Sequence, residues 1–90
     1  MKLIVAIVQD REAGRVVDEL VAYGVGVTRI NTAGAFWKRN NATILTGVED
    51  SDVDCVIEIY RRVCGQPNPS PEQIAAGVLF VLPVAAALKI

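Results

Sequence analysis

The sequence predicts an α+β fold, with two helices and four strands in the order β-α-β-β-α-β. Three observations carry that reading: two stretches of helical apolar periodicity, four short runs rich in Val, Ile and Leu, and glycines or prolines at the joints between them. A short internal echo agrees. Val8-Gln9-Asp10 and Val48-Glu49-Asp50, forty residues apart, each mark a strand passing into a helix.

Residues 2–9 are apolar at almost every position, so both faces of the first strand read as covered, as in the centre of a sheet. Asp10 is a good helix N-cap. Ala13, Val16, Val17, Leu20 and Val21 then recur at i, i+3, i+4, i+7 and i+8, one face of a helix. Gly24 stands where a helix C′ glycine belongs. Residues 25–32 form the second strand, with Val25, Val27 and Thr28 β-branched. Residues 33–40 are a loop and residues 41–48 a third strand. Ser51 and Asp54 have capping-box spacing. Val53, Val56, Ile57, Tyr60 and Val63 or Cys64 make the second helical stripe, with Arg61 and Arg62 at the end that favours cations. Gly65 closes the helix, residues 65–76 are a proline-rich connection, and residues 77–84 are the fourth strand. This order is that of a ferredoxin-like arrangement, in one domain spanning residues 1–90.

Composition narrows the function. A chain of 90 residues buries only a modest core, yet 52% of it is hydrophobic, so part of that apolar surface is expected to face other subunits. A net charge of −1 gives no electrostatic case for nucleic acid or membrane. There is no histidine, which removes the commonest general base and metal ligand. Cys55 and Cys64 fall on opposite sides of one helix, too far apart to bond, and suit a reducing cytoplasm. The opening MKLIVAIVQD has a short apolar run followed by acidic residues, so it reads as a strand rather than a leader. The apolar C-terminal stretch is too short to span a bilayer. No phosphate-binding loop, nucleophile–base pair, metal cluster or dinucleotide fingerprint is present, so neither an enzyme nor a cofactor is expected. Asp10 and Asp50 are better explained as helix starts than as catalytic acids.

The segment NTAGAFWKRNNATILTG, residues 31–47, is the most unusual. Its aromatic pair Phe36-Trp37, basic pair Lys38-Arg39 and Asn40-Asn41 lie between two strands. Together with MKLIVAIVQD and VLFVLPV it resembles the PII-like cyclic-di-AMP receptor proteins, which typically read M-K-L-I-x-A-I-V-Q-D, T-x-G-G-F-L, G-N-T-T and V-F-V-L-P-V. The similarity runs from residue 1 to about 65 and resumes over 77–84.

The resemblance implies a homotrimer of ferredoxin-like subunits that binds cyclic-di-AMP in clefts between neighbours and signals to an unknown protein target. It implies ligand contacts at Thr28, Phe36, Asn41, Gly47 and Phe80, and, with altered side chains, at Ala35 and Trp37. Phe36 and Trp37 either stack on a nucleobase or plug the subunit interface. Lys38 and Arg39 either pair with phosphate or form a solvated tip. The chain departs from the family at Gly24 and Gly26, where Asn and a phosphate-pairing Arg are usual, at Lys89 in place of a glutamine, and in the shorter loop after Gly65. A PII-like trimer that binds another nucleotide such as ATP, or works only through protein partners, is the alternative.

Overall fold

The computed structural model describes residues 1–31, 41–65 and 77–88. Its elements are β1 (Lys2–Gln9), α1 (Asp10–Tyr23), β2 (Gly26–Asn31), β3 (Asn41–Val48), a 3-10 turn (Asp50–Asp52), α2 (Val53–Cys64) and β4 (Gly77–Pro83). The expected order is therefore present, and the class is α+β. The four strands form one antiparallel sheet in the order β2-β3-β1-β4. β1 is central, as its run of apolar residues requires, pairing Lys2 with Val48 on one side and with Pro83 on the other.

Both helices pack on one face of the sheet. Ile4, Ala6 and Val8 of β1 and Ala42, Ile44 and Val48 of β3 meet Ala13, Val16 and Leu20 of α1 and Val56, Ile59, Tyr60 and Val63 of α2. Ile4, Leu20, Ile44, Val16 and Val56 are fully buried there. Across the outer side of the helix pair, Arg62 donates to Glu19 at 2.7 Å and Tyr23 donates to Asp52 at 2.8 Å.

Gly24 ends α1 in the left-handed region, with φ 104°, and its N–H reaches the carbonyls of Leu20 and Val21. Only glycine adopts that backbone without a Cβ penalty. At the start of β4, a Cβ on Gly77 would lie 2.7 Å from the Ile7 carbonyl oxygen, so close strand approach demands glycine there as well.

Several local expectations are corrected. Asp10 is the first residue of α1 rather than its N-cap; Gln9 precedes the helix, and the Asp10 carboxylate instead accepts from Arg29 at 2.6 Å. Ser51 lies inside the 3-10 turn, and α2 starts after Asp52 without a side-chain cap, so no capping box forms. Val21 is 61% exposed, on the outer flank of α1. In α2 the buried stripe is centred nearer Ile59, which lies about 60° around the helix from Val56; Ile57 and Cys64 are only half-buried. The second face of β1 is also less covered than its apolar sequence suggests, since Leu3 and Val5 are half-buried.

Candidate functional site

Because strand side chains alternate, residues directly opposite across a ladder share a face. The pairing Thr28–Leu45, Leu45–Val5 and Val5–Phe80 therefore draws one row across all four strands, on the face away from the helices. The next row is Gly26–Gly47–Leu3–Leu82, and the row on the other side is Ile30–Thr43–Ile7–Val78. No side chain in these three rows is charged. Phe80 and Leu82 are each 45% exposed and Ile30 is 42% exposed, so the face is apolar and incompletely covered.

The expected site residues that fall within the described residues all lie on this face. Thr28 is exposed on the edge strand β2, with Gly47 diagonal to it on β3. Asn41 begins β3 opposite Gln9; it is 4% exposed, and its Nδ2 has no partner among the described residues. Phe80 lies on the other edge strand, β4. The row from Thr28 to Phe80 spans three strand spacings, about 14 Å. The structure thus brings Thr28 and Gly47 together but keeps Phe80 apart from Thr28 within one chain. Ala35, Phe36, Trp37, Lys38, Arg39 and Lys89, and the loops over 33–40 and 66–76, lie outside the described residues.

Gly26, where the family carries an arginine, has open space around it: an added Cβ would meet nothing within 4 Å. Arg29 does not take that role from the sheet. It alternates to the helix face of β2 and pairs with Asp10. The continuous apolar runs of β1 and β4 carried the signal for an apolar floor on the open face (Leu3, Val5, Leu45 and Leu82), but sequence reasoning took both faces of β1 as covered and missed that this floor is only half-buried or exposed.

A second concavity lies on the helix side, between α2 and the β1–β4 edge. It has a volume of about 470 Å³, and its lining includes Ala6, Ile57, Tyr60, Cys64 and Leu79. None of the expected site residues line it. Burial pushes the Tyr60 phenol up to about 12 and the Cys64 thiol up to about 11, so both are protonated at neutral pH. The hydroxyls of Tyr60 and Thr46 are buried close together but outside hydrogen-bonding geometry. Both cysteines are free, Cys55 exposed and Cys64 half-buried. Among the described residues no group of three or more His, Cys, Asp or Glu could hold a metal ion. Among them, too, no helix is long and apolar enough to cross a membrane.

The family model for cyclic-di-AMP receptors matches residues 1–70, well over half the chain. The chain belongs to the cyclic-di-AMP receptor family. Its fold is accordingly PII-like. A solved structure agrees: the crystal structure of a functionally unknown protein from Pediococcus pentosaceus is similar with a TM-score of 0.81 at 30% identity, covering 99% of this chain and 96% of that one. The family match includes Thr28, Asn41 and Gly47 but stops before β4, so Phe80 lies beyond it.

Proposed function

We propose that this receptor-family protein is a homotrimeric signal-transduction protein that binds cyclic-di-AMP in the clefts between its subunits. The observation that carries the reading is the separation of Thr28 and Phe80 on opposite edges of one apolar row. A single ligand meets both within one compact cleft if β4 of one copy stands beside β2 of the next. Such a contact joins unlike edges and closes into a ring when the rotation permits. The incompletely covered open face supplies the apolar area for that contact, and the family supplies the ligand class.

Within the cleft, the Thr28 hydroxyl and the Asn41 amide offer hydrogen bonds to phosphate or base edge. Gly47 lets a ligand approach backbone, and Phe36 and Trp37 stack on a purine. Ala35, which stands where the family has a glycine, is the remaining contact of this segment. Lys38 and Arg39 neutralise phosphate in place of the arginine absent at Gly26. Ligand binding then alters the surface offered to a protein target; the protein performs no chemistry and works in the cytoplasm, without nucleic acid, membrane or cofactor.

A second reading follows from Gly26 and from the uncharged rows of the face: another nucleotide such as ATP, or a protein partner alone, is recognised. A thermal-shift panel separates the two, because a ligand that binds only the folded state raises the midpoint by mass action. The proposed function predicts a shift with cyclic-di-AMP that ATP does not match. A shift with ATP alone, or with no nucleotide, favours the second reading.

A further inference from the structure

We propose that Met1 is a ligand-contact residue of the nucleotide site, its thioether forming one wall of the recess over Gly47. The inference rests on the proposed cleft function and adds a residue to it. Strand alternation assigns Met1 to the same face as Leu3, which is the partner of Gly47 across the β1–β3 ladder. Among the described residues, a Cβ on Gly47 would have one neighbour within 4 Å, the Met1 methyl at 3.9 Å. The bare backbone of Gly47 is therefore walled by a thioether.

The backbone of Met1 is held at both ends. Its ammonium pairs with Asp50 at 2.9 Å, and its carbonyl accepts from the Val84 N–H at 3.1 Å. The side chain stays 42% exposed and takes no part in the helix-side core. A fixed root with a free, polarisable end suits an adaptable contact: methionine sulfur packs favourably at the edge of aromatic rings, and its three rotatable bonds let it follow the ligand. Beside a glycine floor, with the uncharged row Thr28–Leu45–Val5–Phe80 next to it and the Asp50 carboxylate paired with the Met1 ammonium, this chemistry fits a flat heteroaromatic ring and leaves the phosphates to other groups.

The test exploits composition, since the chain has one methionine. Labelling with [methyl-13C]methionine gives one protein resonance, followed while cyclic-di-AMP is titrated into the intact protein with calorimetry on the same sample. The expected result is a methyl shift that saturates with the calorimetric curve, and nuclear Overhauser contacts from the methyl to purine protons. A second arm uses Cys55→Ser/Cys64→Ser protein treated with hydrogen peroxide, which transfers one oxygen to the Met1 sulfur and leaves as water. The sulfoxide is polar and bulkier, and should weaken binding at least about fivefold. Calorimetric binding with a stationary methyl resonance and unchanged sulfoxide affinity overturns the role of Met1 and leaves the cleft function standing. Absence of calorimetric binding overturns both.

Discussion

The two faces of the sheet are built from alternate residues of the same four strands, yet they are finished differently. On the helix side, Ile4, Ala6 and Ile44 are fully covered by α1 and α2. On the other side, Val5 and Leu45 are half-buried and Phe80 and Leu82 remain 45% exposed. Fully burying an aliphatic or aromatic side chain stabilises by roughly 1.5–3 kcal/mol, so a substantial part of that gain is still unrealised at the open face. The helix side is where one chain becomes stable. The open side keeps apolar area exposed, and it carries the described members of the expected ligand site.

Substitutions on the two faces should consequently separate stability from assembly. The largest effect belongs to the helix side: Leu20→Ala should cost about 2–5 kcal/mol of folding free energy in denaturant titrations, because a fully buried leucine leaves a cavity. A cost under about 1 kcal/mol would mean that α1 is not seated as described. Leu82→Arg attacks the open side. It should dissociate the oligomer in sedimentation equilibrium while leaving the far-ultraviolet circular dichroism unchanged, since an arginine there would be desolvated without a partner only in the assembly, at a cost of about 2 kcal/mol or more. An intact oligomer in that variant would move the interface off this face.

Smaller effects concern the ligand. Gly26→Arg points into open space and restores a charge-assisted contact worth roughly 1.5–3 kcal/mol, so calorimetry at fixed salt should show cyclic-di-AMP binding tightened by about tenfold or more. Unchanged affinity would mean that another basic group already holds the phosphates. Phe36→Ala should weaken binding by about 1–3 kcal/mol with the oligomer intact; if the oligomer dissociates instead, Phe36 is an interface plug. The smallest effect returns to the helix side. Tyr60→Phe removes a buried hydroxyl that has no hydrogen-bond partner among the described residues, so its stability should stay within about 1 kcal/mol of wild type, unchanged or higher. A larger loss would reveal a partner for that hydroxyl.

Most of the fold was legible because it rests on periodicity. The 3.6-residue recurrence located α1 and α2, the Val/Ile runs located the strands, and Gly24 took the left-handed turn it was expected to take. Short-range polar signals were less informative. Asp10 was recruited by Arg29 across to β2 instead of capping its own helix, and Ser51 was taken into a 3-10 turn. Both are tertiary outcomes that a local motif does not encode. For β1, an apolar run marks a central strand but does not say what covers each face; here the helix layer covers one, and among the described residues the other is only partly covered. The site was legible chiefly through family resemblance. That Thr28, Asn41, Gly47 and Phe80 share a face follows from strand register, which requires the pairing of the strands to be known.

The central claim, that one ligand is shared between Thr28 of one copy and Phe80 of another, is tested most directly by mixing subunits. Thr28→Val and Phe80→Ala chains are first shown to assemble separately, and each is titrated with cyclic-di-AMP. Each alone should bind weakly, because every cleft lacks one contact. After the two are unfolded together at equal amounts and refolded, a heterologous ring should contain about one cleft in four with both residues intact, and a matching fraction of wild-type-affinity sites should appear in calorimetry. If mixing restores no such sites although mixed oligomers form, both residues serve the ligand from the same chain or not at all, and the split-site account is wrong.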